Sequence, residues 1–111
     1  MPAPSIPLSA DLRAAYEDLR AKIDTAMQNT ADPAALQSMI ATYQGIDDLL
    51  TMDTEYQLHA DTAKFTALLG KINDANDGIK MLKAKIAAVA GGFAGAGAVL
   101  AAASKVLTLV G

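Results

Sequence analysis

Cysteine and tryptophan are absent, histidine occurs once, and three tyrosines and two phenylalanines supply all the aromatic rings. Without thiols the chain has neither a disulfide to staple it nor a thiolate to hold a metal. A lone histidine, His59, lacks a nucleophile and an orienting partner, so no catalytic triad can be read around it. The chain is nevertheless 52% hydrophobic, and with so few rings that content falls mainly on Ala, Leu, Ile and Met. These are residues of helices, while sheets favour β-branched and aromatic side chains. Five methionines read first as core filler.

A dense basic surface is missing as well. Net charge is −3, and it divides unevenly. Through Asp61 ten acids face Arg13, Arg20 and Lys22, giving −7; from Thr62 onward six lysines face Asp74 and Asp77, giving +4. Short lysine runs do not make a nucleic-acid footprint. The opening Met1-Pro2-Ala3-Pro4-Ser5-Ile6-Pro7 has no basic start and no apolar run, so no cleavable secretory signal is expected. With 111 residues there is room for one small domain.

What is present is helical periodicity. Residues 1–8 read as an extended, proline-rich arm. Ser9 suits an N-cap with Asp11 in the first turn. Leu8, Leu12, Tyr16, Leu19, Ile23 and Met27 then follow at three- and four-residue spacing as one apolar stripe. Asn29-Thr30-Ala31-Asp32-Pro33 breaks that helix. Asp32 caps the next one and Pro33 takes its first position, where a missing N–H costs nothing. The second helix carries Leu36, Met39, Ile40, Tyr43, Ile46, Leu49 and Leu50, and a kink is expected around Thr51–Thr54. Periodicity resumes with Leu58, Phe65, Leu69, Ile72, Ile79 and Ile86, a candidate core seam. Phe65, Ile72, Ile79 and Ile86 recur every seven residues, with poor alternate positions at Thr62, Asn76 and Lys83. Asn73 to Gly78 favours a turn or kink.

From Ile86 to Ser104 no residue is charged, a run of about 28 Å if wholly helical, close to a bilayer core of ~30 Å. Within it Ala87, Gly91 and Gly95 stand four apart, and Ala90, Ala94, Ala98 and Ala102 do likewise. Small residues at that spacing allow close helix approach, so both sets are candidate oligomer contacts. Lys80, Lys83 and Lys85 precede the run and Lys105 follows it, as flanks of a membrane segment would.

No chemistry emerges from the remaining clusters. Asp47-Asp48 and Asp53-Glu55 read as a solvated acidic face. The Asn73–Gly78 run fails as a calcium loop because Ala75 stands at a ligand position and Ala84 where a glutamate belongs. The glycines near Gly91 lack the Gly-Lys-Ser/Thr ending of a phosphate loop. No cofactor, metal, nucleic acid or small-molecule substrate is expected, and the chain reads as a non-enzyme.

Two resemblances bear on its role. Asn29-Thr30-Ala31-Asp32-Pro33-Ala34-Ala35-Leu36, followed by Met39-Ile40, Tyr43-Gln44 and Leu69-Gly70-Lys71-Ile72, resembles the helical hairpins of type III secretion needle and inner-rod subunits. It covers residues 17–72 and implies a structural subunit exported without a signal. Residues 72–111 look like a small phage holin in layout, implying a membrane-active segment. The expected protein is therefore all-α: an arm (1–8), a helical hairpin or small bundle (9–78) and a Gly/Ala-rich hydrophobic C-terminal helix (79–111). Its expected role is that of a homo-oligomerising structural subunit of a membrane-associated, extracellular or virion assembly. A holin-type protein and a soluble helical adaptor are the alternatives.

Overall fold

A computed structural model describes residues 8–89 and 92–110, and within them the chain is all-helical: α1 (Ala10–Met27), α2 (Pro33–Leu58), α3 (Thr62–Ala87) and α4 (Ala96–Val110). The first three helices start at side-chain caps. Ser9 accepts the N–H of Leu12 at 3.2 Å, Asp32 that of Ala35 at 2.9 Å, and Asp61 that of Lys64 at 2.7 Å. Each cap satisfies one of the orphan donors of a first turn. The Lys64 N–H, and after it the Lys64 ammonium, hold the Asp61 carboxyl below its ordinary range. That cap therefore acts at neutral pH and fades as pH falls through the depressed value. The arm expected over residues 1–8 falls, except for Leu8, outside the described residues.

Each helix packs on two neighbours, in the ring α1–α2–α3–α4–α1. Cross-links fix the directions. Arg20 meets Asp47 at 2.7 Å and Arg13 meets Asp53 at 2.6 Å, so α1 and α2 are antiparallel. Lys71 meets Asp48 at 3.6 Å while Gly78 faces Thr42, so α2 and α3 are antiparallel too. Gly95, at the head of α4, lies on Ala26 at the tail of α1. The result is an up-down four-helix bundle.

Buried positions explain why the helices assemble this way. In α3, Leu68, Ile72, Ala75, Ile79, Leu82 and Ile86 alternate four- and three-residue steps, and in α2, Ala35, Met39, Thr42, Ile46, Leu49 and Asp53 do the same. That is heptad packing, and it corrects the expected seam. Ile72, Ile79 and Ile86 belong to it, but its alternate positions are Leu68, Ala75 and Leu82. Leu58 is 81% exposed and Phe65 41% exposed, and Leu69 is half-buried. Neither segment forms a turn or loop: α2 runs unbroken through Thr51–Thr54 and α3 through Asn73–Gly78. A local propensity cost of about 1 kcal/mol per poor helix former is outweighed by burying the isoleucines on either side. The real break is at His59–Asp61.

At 26 residues each, α2 and α3 outreach α1 with 18 and α4 with 15. Their shared tip overhangs the bundle. There Tyr56 and Phe65 pair with ring centroids 6.2 Å apart.

Two polar groups are built into the core. Tyr16 of α1 donates from its hydroxyl to Asn76 Oδ1 of α3 at 2.6 Å, across the diagonal of the ring. Burial pushes the Tyr16 phenol above its ordinary pKa by more than the Asn76 hydrogen bond lowers it. Tyr16→Phe would leave that oxygen without its donor, and urea denaturation should show a loss of about 1–2 kcal/mol. Adding Asn76→Leu should recover most of it. Asp53, fully buried, is the second group, and it corrects the reading of Asp53-Glu55 as a solvated face.

Candidate functional site

One step around α2 from its buried row lie Ala34, Ser38, Ala41 and Gly45, again in 4-3-4 spacing. On α3 the matching row is Asp74, Gly78, Met81 and Lys85. The Lys71–Asp48 register sets these rows opposite one another: Ala34 by Lys85, Ser38 by Met81, Ala41 by Gly78, Gly45 by Asp74. Because most of these side chains are small, the helices leave an open groove of about 470 Å³ between them, walled also by Gln37, Thr42, Lys71 and Ala75. Its size and largely apolar lining are those of a binding cleft. Met81, 61% exposed, is the one large apolar wall residue, and a flexible one.

Electrostatically the groove is sparse. Lys71 is engaged by Asp48 at 3.6 Å. Asp74 and Lys85 have no ion-pair partner among the described residues.

Gly45 and Gly78 carry the most information. Both lie inside helices, where glycine costs roughly 1 kcal/mol relative to alanine. A Cβ on Gly45 would meet nothing within 4 Å, and one on Gly78 would only touch Thr42 Oγ1 at 4.0 Å. Among the described residues nothing requires either glycine, yet both leave space in the same groove. Gly70 is equally uncrowded, but it lies outside the groove lining.

The residues expected to mediate oligomer contacts are placed differently. Residues 86–104 do not form one helix: α3 ends at Ala87 and α4 starts at Ala96. Ala87 is exposed at the end of α3, and Ala94 is exposed in the connection. Gly95, with φ 89°, packs against Ala26 of its own chain, so Ala87 and Gly95 do not share a helix face. Ala98 is exposed on α4 while Ala102 is buried. Ala90 and Gly91 lie outside the described residues. No described helix is long and apolar enough to cross a membrane, and the uncharged 86–104 run is divided between the end of α3 and α4.

Of the flanking lysines, Lys80, Lys85 and Lys105 are exposed and Lys83 is half-buried; only Lys85 lines the groove. A shallower recess at the overhanging tip is lined by Tyr56, Ala60, Asp61, Thr62 and Phe65. His59 is exposed beside it and ends α2. Among the described residues no group of three or more potential ligands is placed to hold a metal ion.

The groove was legible in sequence as small residues at helical spacing in Ala34, Ser38, Ala41 and Gly45, but the denser Gly/Ala run near the C-terminus drew the reading away from it. Comparison with protein-family models, with curated proteins and with solved structures finds no match to this chain.

Proposed function

We propose that the chain is a non-catalytic structural subunit that self-assembles by accepting a helix in the α2–α3 groove. The observation that carries this reading is the pair Gly45 and Gly78. Each weakens its own helix, neither is crowded by any of the described residues, and together they deepen one exposed cleft. A helix laid into that cleft could approach both backbones closely, and its packing would offset the cost of the glycines. The setting suggested by the helical-hairpin resemblance is a secretion apparatus, and the reading needs no spanning helix.

Sedimentation velocity over a concentration series tests it. The wild-type protein should gain mass with concentration. Gly45→Leu should stay at monomer mass while unfolding at or above the wild-type temperature, because a Cβ there meets nothing within 4 Å and leucine lifts the glycine's helix penalty. Gly45→Ala, which restores helix propensity, should stabilise the monomer by up to about 1 kcal/mol. Gly70→Ala should do the same without touching assembly. A wild type that remains monomeric throughout would favour an adaptor and sink the proposal, as would a Gly45→Leu protein that assembles normally.

A further inference from the structure

Resting on the reading of the groove as a helix-docking site, we infer that its occupant is α4 of a second copy of this chain. The inner side of α4 is committed to its own bundle through Val99, Ala102, Ala103 and Val106. Its outer side presents Ala98, Ala101, Lys105 and Thr108, all exposed and spaced along one face. Apart from Lys105, with exposed Leu109 at its C-terminal edge, that face is low-relief and suits the small-residue α2 wall at Ala34, Ser38, Ala41 and Gly45. The lengths agree: α4 has 15 residues, about 22 Å, and the groove wall from Ala34 to Gly45 runs about 17 Å.

Charge positions this helix: of the three charged wall residues, Lys71 is paired with Asp48 and Lys85 stands about three turns along α3 from Asp74, so Asp74 is the point a cationic helix would meet. Lys105 is the one charged residue of α4, and Asp74 is the one acid in the groove wall. Neither has an ion-pair partner among the described residues. Seating α4 with Lys105 on Asp74 joins two unpaired charges at the rim of an apolar contact, where complementarity sets register and partner choice.

In the helix ring, the α1–α4 side lies opposite the α2–α3 side. One copy therefore donates from one side and accepts on the other. Such a contact is heterologous and propagates into a filament or ring instead of closing as a pair.

A charge swap tests this. Lys105→Asp sets two acids against each other in the contact, and Asp74→Lys sets two lysines, so each variant alone should assemble about tenfold or more weakly than wild type. Both positions are exposed, so both variants should unfold at the wild-type temperature. An equimolar mixture should regain wild-type assembly by sedimentation velocity, because every contact in it again pairs opposite charges. If both single variants assemble like wild type while Gly45→Leu does not, the groove docks something other than α4 and the inference fails alone. If Gly45→Leu also assembles, the groove reading falls with it.

Discussion

Asp53→Ala is expected to cost about 3 kcal/mol of folding stability and to lower the melting temperature on the order of 10 °C or more. Asp53 is fully buried, and its two oxygens collect three donors. Oδ1 accepts the Leu8 backbone N–H at 2.8 Å, while Oδ2 accepts Arg13 Nη1 at 2.6 Å and Gln57 Nε2 at 2.8 Å. Removing the carboxylate orphans a buried backbone donor and leaves the guanidinium facing a cavity. Breaking a buried pair on one side typically costs about 3–5 kcal/mol. The lower end applies because the Arg13 side chain keeps 30% exposure and can turn to water.

Asp53→Asn keeps the shape and an acceptor for Leu8 but loses the charge, so it should fall between the two. Arg13→Ala should cost less than Asp53→Ala, and the double variant less than the sum of the singles. Equal and additive losses would mean the cluster is not a unit.

Asp53 also shows what the sequence could and could not reveal. Position 53 continues the 4-3 row of α2, a place where an apolar residue is expected and an acid reads as solvent-facing. Nothing local announces that Arg13, forty residues earlier, will meet it. Buried polar pairs are tertiary facts, and Tyr16 with Asn76 is another.

Helix starts were more legible, because capping is local chemistry. Ser9 and Asp32-Pro33 were readable from their own neighbours. Asp61 is an equally good cap, but no proline or glycine accompanies it, so the α2–α3 turn was missed. Of the seven-residue recurrence Phe65, Ile72, Ile79 and Ile86, the three isoleucines are buried and Phe65 is not; their partner row lies three residues on, not four. That single offset put Asn76 and Lys83 where Ala75 and Leu82 belong, and made a well-formed heptad helix look poor.

Gly95 separates a folding role from an assembly role in the glycine-rich region. Its φ of 89° lies where side chains with a Cβ are strained, and a Cβ there would sit 3.3 Å from the Cβ and 3.4 Å from the Cα of Ala26. Ala26 is fully buried on α1, and its backbone has nowhere to retreat. Gly95→Val should therefore lose about 3 kcal/mol, combining backbone strain of roughly 1–3 with overpacking of roughly 1–3. Gly92 has φ 67° and open space around it. Gly92→Ala isolates the strain and should cost only about 1 kcal/mol.

Urea denaturation of the two variants checks both values, and equal losses would remove the contact with Ala26 from the account. The sharper comparison is with Gly45→Leu. At a temperature where Gly95→Val is still folded it should assemble like wild type, since Gly95 touches its own chain and not the groove. Gly45→Leu should show the reverse, a sound fold that does not assemble. A Gly95→Val protein that folds normally yet fails to assemble would return the oligomer contact to the C-terminal glycines, where composition alone first places it.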